Sequence, residues 1–325
     1  MLILSKSDIS KLVSMKEVIK EIEESLKEVV LGNVWMPPRI STKIENNKGW
    51  IGIMPCYIKN KNALGTKIVS DYPDNNIKFN LPTIMATMII SDYKTGKILG
   101  IMNGETITSM RTGAIGGIAA KYLSKTNSSK LGVFGAGVQS KAQISAILNV
   151  RDIQQIKIYD KIQSKIKEFA RDIYNEFKID IKEANPEQVT NDSDIIVTAT
   201  TSKEPILESK WINNGTHINA IGAHSSTTRE IDTQTVVNSK IVVDSIETAM
   251  KEAGEILIPI SENKITKRDI YGELGEIILN NKTGRENNEE ITLFKSCGLA
   301  VQDIATANII YKRAIEKKVG RNIEI

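Results

Sequence analysis

The stretch KLGVFGAGVQS, residues 130–140, constrains the fold of this chain more than any other segment. An apolar run, LGVF, leads into a turn with Gly135 and Gly137, and an apolar pattern of helical spacing follows. In the order strand, glycine turn and helix, a G-x-G motif binds a dinucleotide, because the first glycine makes the tight turn and the second lets the pyrophosphate approach the backbone. The helix N-terminus adds N–H groups and the positive end of its dipole. Ser140 stands where a third glycine or alanine is usual, so the motif is incomplete by itself.

The next predicted strand ends in an acidic residue. Residues 156–160 (IKIYD) place Asp160 about 20 residues past the glycines, where a carboxylate accepts hydrogen bonds from a ribose 2′-OH. A carboxylate there repels a 2′-phosphate, so NAD is favoured over NADP, although Lys161 follows directly and weakens that preference. The structural alternative for Asp160 is a helix N-cap. We predict a Rossmann domain in which Gly135, Gly137 and Asp160 contact NAD.

Composition excludes several functional classes. The 325 residues favour two domains, and 41% hydrophobic with 25% charged residues is typical of a globular protein. Lysines and glutamates are interspersed at a net charge of +4, so neither a nucleic-acid surface nor a membrane patch is predicted. The N-terminus lacks signal-peptide features, and the longest apolar run, residues 81–90, is too short to span a bilayer. Cys56 and Cys297 lack metal-ligand spacing, so we predict buried free thiols, no metal site and a cytoplasmic location.

Three cationic side chains in the first part of the chain are binding-site candidates. Two prolines precede Arg39 and would hold it in a fixed direction, with a solvated loop arginine as the alternative. Lys67 lies between apolar neighbours in a predicted strand, where a lysine either snorkels at an edge or is held in a site with a lowered pKa. Arg111 is predicted at the start of a helix rich in small residues, where it binds a carboxylate or phosphate or forms a surface ion pair. The small residues indicate that a neighbouring element or a ligand approaches this helix closely.

The second half of the chain predicts further buried strands, over residues 194–200, 215–223 and 240–244. In open α/β sheets, ligands bind beyond the carboxyl ends of the strands. Thr200 and Thr201, which end the first of these strands, and His224, which follows the second, are therefore site candidates. His217 lies inside its strand and is predicted to be structural. A polar segment, residues 122–129, is the predicted domain boundary.

A set of motifs spread from Ile9 to the end of the chain resembles one protein family. The motifs are MPPR, GTK-IVS, LPT-MA, SMRTGA, the GAG-Q turn, GTHINAIGA and FKSCGLAVQD. Together they resemble the ornithine cyclodeaminase/mu-crystallin family, and within it most closely the archaeal-type alanine dehydrogenases. The resemblance implies an α/β homodimer with two domains. Residues 123–296 would form the Rossmann NAD(P)-binding domain, and residues 1–122 with 297–325 a smaller α+β domain for substrate binding and dimerisation.

The resemblance also implies roles for individual residues. Arg39 and Arg111 would clamp the carboxylate of an amino acid, and Lys67 would hydrogen-bond near the reacting carbon. The residues implied to contact the nucleotide are Thr83, Arg111, Thr112, Val138, Gln139, Asp160, Thr200 or Thr201, Gly222 and Ser296.

Three positions depart from the cyclodeaminase pattern. Cyclodeaminases carry an aspartate acid/base after the strand that resembles GTHINAIGA, where this chain has His224. They carry a glutamate before the Met-Pro pair, where this chain has Gly52, and a lysine where it has Thr228. Without those carboxylates the δ-ammonium of ornithine would be desolvated with poor compensation, so the pocket is predicted to suit ornithine poorly. A histidine can still act as a general acid or base near neutral pH.

These features predict an NAD-dependent oxidoreductase of a small amino acid or its imine. In the oxidative direction the arginines hold the carboxylate, the nicotinamide takes hydride from Cα, and Lys67 or His224 removes the amine proton. Water then attacks the imine to give a keto acid and ammonium. The reverse is reductive amination of pyruvate, or reduction of a cyclic imine such as pyrroline-2-carboxylate. The residues leave Lys67 and His224 open as the acid/base.

Two alternatives accompany this hypothesis. The first is ornithine cyclodeaminase, which would convert ornithine to proline and ammonia with no net redox change. The second is a mu-crystallin-like protein that binds nucleotide with little turnover. The joint presence of Arg39, Lys67 and Arg111 argues against pure binding, which needs no such set.

Overall fold

The computed structural model describes residues 1–324 and divides into two compact units. Unit 1 is Met1–Arg111 with Leu299–Ile325, and unit 2 is Thr112–Gly298. The first boundary between the units therefore lies before the one expected after residue 122. The second boundary, where the chain goes back to unit 1, lies after residue 298 and not after residue 296. The reason is the small-residue helix, of which one part packs inside unit 2. A side chain on Gly117 would lie 2.8 Å from the Cβ of Ala146, so that segment packs tightly against a neighbouring helix.

Strands and helices largely alternate in unit 2, whereas several strands of unit 1 follow one another without an α-helix between them. In chain order the strands are β1 (Leu2–Leu4), β2 (Val34–Trp35), β3 (Ile40–Ile44), β4 (Gly49–Ile58), β5 (Ala63–Asp71), β6 (Ile84–Ser91), β7 (Ile98–Asn103), β8 (Lys130–Phe134), β9 (Gln155–Tyr159), β10 (Ile181–Glu183), β11 (Ile195–Thr198), β12 (His217–Ala220), β13 (Ser239–Val243), β14 (Ile270–Glu273), β15 (Ile291–Lys295) and β16 (Arg321–Asn322). The α-helices are α1 (Lys6–Ile9), α2 (Met15–Val30), α3 (Asn75–Lys78), α4 (Gly104–Leu123), α5 (Val138–Leu148), α6 (Gln163–Phe177), α7 (Pro186–Asn191), α8 (Thr233–Val237), α9 (Ile246–Glu252), α10 (Gly254–Ser261), α11 (Leu274–Ile278) and α12 (Ala300–Lys317).

Unit 1 is built on a mixed sheet in the order β16-β1-β7-β6-β5-β4-β2, with β3 also paired to β4. Strands β4 to β7 are antiparallel neighbours, whereas β1 and β7 are parallel. Helix α12 packs across β4, β5 and β6 and against α2. Alternate residues of β5 are buried, and Lys67 is one of them. This alternation turns Lys67 toward the inner face of the sheet, which α12 covers.

Helix α2 shows how local sequence sets an element of this unit. Ser14 is its N-cap, and Ser14 and Glu17 form a capping box. Its apolar residues are spaced to bury one face, with Val18 and Ile22 fully enclosed.

Unit 2 is a parallel, doubly wound sheet in the order β10-β9-β8-β11-β12-β15-β13-β14. The chain moves outward from β8 to β9 and β10, then returns to place β11 on the other side of β8. This reversal is the topological switch point at which open α/β sheets bind ligands. The predicted α/β fold with a Rossmann domain is confirmed.

One element differs from its prediction in a way that affects the site. Helix α4 begins at Gly104, so Arg111 lies within the helix and not at its start. The prediction of an N-terminal arginine was wrong, because the helix is capped earlier: the Asn103 side-chain oxygen, at the end of β7, accepts from the Thr106 N–H at 3.0 Å. Among residues 1–324, the helices are all too short or too polar to cross a membrane.

Candidate active site

The turn after β8 has the shape that a dinucleotide needs. Gly135 has a φ of +101°, and a side chain there would lie 2.6 Å from the Ala199 carbonyl oxygen, so glycine is required. The space beside Gly137 is open, and α5 begins at the next residue, Val138, which is exposed. Gln139 follows in the first turn and is half-buried. The backbone N–H groups of this helix end are thus accessible at the switch point, which fits a pyrophosphate.

Asp160 braces this turn from the end of the adjacent strand. One carboxylate oxygen accepts a hydrogen bond from the Ala136 N–H at 2.8 Å, and the other accepts one from the Ile162 N–H at 2.8 Å. The N-cap alternative for Asp160 is wrong, because α6 begins at Gln163 with Ile162 as its N-cap. Asp160 therefore lies beside the glycine turn, at the place of a ribose-binding carboxylate.

A buried carboxylate joins the ends of β11 and β12. Glu230 is fully buried and accepts hydrogen bonds from the Thr200 N–H at 2.6 Å and the Thr200 hydroxyl at 2.7 Å. Its other oxygen accepts from the Gly222 N–H at 2.8 Å. Burial raises the pKa of Glu230, and the bonds from Thr200 oppose that shift. Sequence analysis missed Glu230, although it brings together two residues predicted to touch the nucleotide.

The backbone next to His224 is also held by a buried side chain. Lys295 is fully buried, lies 3.1 Å from the Glu255 carboxylate and donates a hydrogen bond to the Ala223 carbonyl. Glu255 in turn accepts from the Glu230 N–H at 3.2 Å. We call Glu230, Glu255 and Lys295 the Glu230 cluster. The ring of His224 is exposed, and its Nδ1 lies 3.1 Å from the Gly222 carbonyl oxygen.

The other nucleotide candidates of unit 2 differ in burial. Ser296 is buried, and its hydroxyl donates to the Asp244 carboxylate at 2.8 Å. Thr112 is buried, and its carbonyl accepts from the Gln143 amide at 2.6 Å. Thr201 is exposed beside Thr200.

His217 has the environment of a structural residue. It is fully buried, with Nδ1 2.9 Å from the Thr292 hydroxyl and Nε2 3.0 Å from the Asn219 side-chain oxygen. Burial, together with the positive charge of Arg285, lowers the pKa of His217 to about 3. A histidine that stays neutral and bonded through both nitrogens is unavailable for proton transfer, which confirms its predicted structural role.

In unit 1 a buried ionic cluster brings two of the predicted substrate residues together. The Lys67 ammonium lies 2.5 Å from one carboxylate oxygen of Asp303, and the Nε of Arg111 donates to the other at 2.9 Å. Asp303 is fully buried in the first turn of α12. We call Lys67, Arg111 and Asp303 the Lys67 cluster. Sequence analysis missed Asp303, although it ends the FKSCGLAVQD motif.

The environment of Lys67 prepares it for proton transfer near neutral pH. Burial, with the positive charges of Arg111 and Arg39, lowers the pKa of Lys67 to about 8 against the attraction of Asp303. A lysine with such a pKa is protonated in most molecules at neutral pH yet gives up its proton readily. Lys67 belongs to unit 1 and His224 to unit 2.

The guanidinium of Arg39 lies over an aromatic ring next to Gly52, one of the positions where this chain differs from the cyclodeaminase pattern. The guanidinium carbon lies 5.5 Å from the centre of the Trp50 ring. A side chain on Gly52 would lie 2.7 Å from that ring and 3.3 Å from the Cδ of Arg39. The indole thus occupies the space that a residue-52 side chain would need. Thr83, the nucleotide candidate of unit 1, is half-buried, and its carbonyl accepts from the Tyr72 N–H at 2.8 Å.

Comparison with known proteins identifies the family. Residues 1–318 match the model of the ornithine cyclodeaminase/mu-crystallin family. The chain belongs to this family. It is 40% identical to an alanine dehydrogenase of Archaeoglobus fulgidus over 99% of this chain and 98% of that protein.

Two solved structures are similar over nearly the whole chain. One is a Delta(1)-pyrroline-2-carboxylate reductase of Thermococcus litoralis in complex with NADH and L-proline, with a TM-score of 0.97, 44% identity and coverage of 99% of this chain and 100% of that one. The other is an archaeal alanine dehydrogenase dimer with bound NAD, with a TM-score of 0.94, 38% identity and coverage of 100% and 99%. The resemblance inferred from the motifs is confirmed.

Proposed function

We propose that this chain reduces a cyclic imino acid of the pyrroline-2-carboxylate type to the corresponding amino acid with NADH. The broader class, an NAD-dependent oxidoreductase of an amino acid or its imine, is the class of both similar proteins and agrees with the sequence prediction. The observation that carries the proposed chemistry is the Lys67 cluster, in which a buried ammonium and a buried guanidinium share one carboxylate. That pair suits a substrate with a carboxylate next to an imine nitrogen. The 44% identical reductase in complex with L-proline favours the cyclic imine as the substrate.

The substrate carboxylate is the group that the cations bind in this proposal. Arg111 and Arg39 hold it by charge-assisted hydrogen bonds. This holds the substrate in one orientation, and such positioning contributes to rate. Lys67 lies on the inner face of β5 and hydrogen-bonds at the imine nitrogen.

Protonation of the nitrogen is the step that the protein supplies. Bound NADH supplies the hydride that reduces the imine carbon. Lys67, with a pKa of about 8, gives its proton to the nitrogen as the carbon is reduced, and takes it back in the oxidative direction. His224 remains the second candidate for this acid/base role.

The cofactor of the proposal is NAD rather than NADP. Gly135, Gly137, Val138 and Gln139 hold the pyrophosphate in this assignment, and Asp160 holds the ribose. Thr83, Arg111, Thr112, Thr200, Thr201, Gly222 and Ser296 complete the proposed contacts.

Alanine dehydrogenase activity is a second candidate, favoured by the 40% identical relative. The same cations would hold pyruvate and its imine. Ornithine cyclodeaminase is disfavoured, because Gly52 and His224 provide no carboxylate for a δ-ammonium, and Thr228 stands where cyclodeaminases carry a lysine. A mu-crystallin-like binding role is disfavoured by the perturbed, buried Lys67.

One assay separates these functions. Nicotinamide absorbance is followed with NADH and pyrroline-2-carboxylate, with NADH, pyruvate and ammonium, and with NAD and L-ornithine while proline is assayed. The proposal expects the highest kcat/KM with pyrroline-2-carboxylate. Faster turnover of pyruvate with ammonium selects alanine dehydrogenase, and proline from ornithine without net NADH change selects the cyclodeaminase. No turnover on any of them would contradict the proposed function.

A homodimer is part of the proposal, because one similar structure is an alanine dehydrogenase dimer. The outer face of the unit 1 sheet carries Ile40, Ile51 and Ile53, which are 62%, 40% and 44% exposed, and Ile40 pairs directly with Ile53. Such an apolar face suits a second copy of the chain. Light scattering is expected to give a dimer, and Ile53→Lys a monomer. Ile77→Lys, on the exposed helix α3, is the control; a monomeric wild type would contradict the proposal.

The cytoplasmic location also stays a proposal. The thiols of Cys56 and Cys297 are buried and free, which suits a reducing compartment.

A further inference from the structure

The strongest uninterpreted feature is the carboxylate of Asp303. It is fully buried, and each of its oxygens meets a different cation, Lys67 at 2.5 Å and Arg111 at 2.9 Å. These cations come from β5 and α4, whereas Asp303 comes from α12. A buried carboxylate is retained only where its partners compensate for lost hydration. Asp303 therefore ties together three elements at the proposed substrate position.

Gln302, the residue before Asp303 in α12, also binds Arg111. The Nη1 of Arg111 donates to the side-chain oxygen of Gln302 at 3.1 Å. Consecutive residues of α12 thus hold two of the three guanidinium nitrogens, Nε and Nη1. Because the guanidinium is planar, this fixes the direction of the third, Nη2.

We propose that Asp303 is a positioning residue of the proposed reaction, whose carboxylate orients Arg111 for the substrate carboxylate and keeps Lys67 in its charged, proton-donating form. This inference rests on the proposed function. Asp303 does not touch the substrate in this account and acts through the two cations.

The charges around Lys67 determine what removal of Asp303 would do. Lys67 faces Asp303 on α12, Arg111 on α4 and Arg39 on the segment before β3. Cys56 on β4 is buried nearby, and its pKa is raised to about 12 by burial and by Asp303, so it stays neutral. Burial, Arg111 and Arg39 all lower the pKa of Lys67, and Asp303 opposes them. Without that carboxylate, the pKa of Lys67 falls below about 8.

The direction of the pH effect follows from this lower pKa of Lys67. Reduction requires protonated Lys67, so kcat/KM declines as pH rises through its pKa. In Asp303→Asn that alkaline limb moves to lower pH, by about one pH unit or more, the usual effect of a close opposite charge. Oxidation requires neutral Lys67, so its acid limb moves to lower pH by the same amount.

The test compares pH profiles of kcat/KM for Asp303→Asn, Asp303→Glu and Gln302→Leu, with NADH and pyrroline-2-carboxylate. Asp303→Asn is expected to shift the profile, and Asp303→Glu to restore its position because the charge is kept. Gln302→Leu is the matched control: it loosens Arg111 and raises KM several-fold, but leaves the position of the limb unchanged. A loss in Asp303→Asn by the same factor at every pH would mean a structural role only and would overturn the proposal.

A second measurement does not depend on turnover. Carbon-13-labelled lysine is titrated by NMR in the wild type, with the Lys67 signal assigned by its absence in Lys67→Met. An unchanged Lys67 midpoint in folded Asp303→Asn overturns the inference, whereas a wild type inactive on every substrate overturns the proposed function. If Asp303→Asn fails to fold, Asp303→Glu decides: the inference requires a midpoint near that of the wild type together with a lower kcat, and fails with a displaced midpoint.

Discussion

Each unit of the molecule buries a cluster of ionised side chains, and the two clusters differ in the groups to which their charges are bound. In the Glu230 cluster, Lys295 pairs with Glu255, but the cluster is also bound to the backbone: Glu230 accepts from the N–H groups of Thr200 and Gly222, and Lys295 donates to the Ala223 carbonyl. In the Lys67 cluster, side chains bind side chains, with Asp303 between Lys67 and Arg111.

This difference indicates a structural role for the Glu230 cluster and a role in the proposed reaction for the Lys67 cluster. A buried charge whose bonds go to the backbone fixes the shape of loops, and its loss leaves buried polar groups without partners. A lysine held by a single carboxylate keeps further N–H groups that a ligand can accept, and its proton is mobile. The Glu230 cluster is therefore expected to act through stability and cofactor affinity, and the Lys67 cluster through the rate and its pH dependence.

The largest expected effect is that of Lys67→Met on kcat. Loss of a positioned proton donor lowers the rate roughly 10²- to 10⁴-fold. Stability is expected to change little, because the variant removes a buried ammonium and leaves Asp303 paired with Arg111. Steady-state kinetics and thermal unfolding of the same preparation measure both.

The matched control for that variant is Lys43→Met, which removes an exposed lysine from β3. We expect its kcat to equal that of the wild type. Should Lys67→Met retain more than a tenth of the activity, the acid/base role passes to His224, and His224→Ala becomes the decisive variant.

The next effect is that of Glu230→Gln on stability. An amide can still accept from Thr200, but its NH2 group faces the Gly222 N–H and cannot accept from it, so that N–H keeps only its longer bond of 3.1 Å to the Thr198 carbonyl oxygen. We expect a loss of about 1–3 kcal/mol in the free energy of unfolding and a raised KM for NADH, with the pH profile of the reaction unchanged. Chemical denaturation and kinetics with varied NADH test these expectations.

Glu183→Gln serves as the control, since Glu183 is exposed on β10 in the same unit. A Glu230→Gln variant with normal stability and a displaced pH profile would erase the contrast between the two clusters, because Glu230 would then act on the chemistry.

The fold was predictable where one local pattern sufficed. The glycine turn after β8 predicted the Rossmann domain, because its signal lies within a few residues of sequence. The boundary after residue 111 was not predictable, because α4 runs through it without a break in helical pattern. Only the packing of its small residues marks the division.

The site was predictable only in part, for a related reason. Lys67 is unusual in its own strand, so its sequence neighbours reveal it. Asp303 and Glu230 resemble ordinary helix and loop acids, and their roles arise from contacts across 236 and 30 residues of chain. A charged residue in a run of small and apolar residues, such as Asp303 after GLAVQ, is the signal that would have found it.

The smallest effect, and the finest test of the contrast, is that of Thr200→Val. The change removes the hydroxyl that donates to Glu230 at 2.7 Å and accepts from the Ser202 N–H at 3.0 Å. The backbone N–H of residue 200 keeps its bond to the same Glu230 oxygen at 2.6 Å. We expect a loss of about 1–2 kcal/mol in the free energy of unfolding, the usual net value of two hydrogen bonds. Thr201→Val, at the exposed neighbour, is expected to leave stability unchanged. If bonds to the backbone contribute most to the stability of the Glu230 cluster, Glu230→Gln must lower the free energy of unfolding more than Thr200→Val does.

Equal losses would show that the side-chain bond contributes most. The Glu230 cluster and the Lys67 cluster would then both be held by bonds between side chains, and the contrast between them would fail.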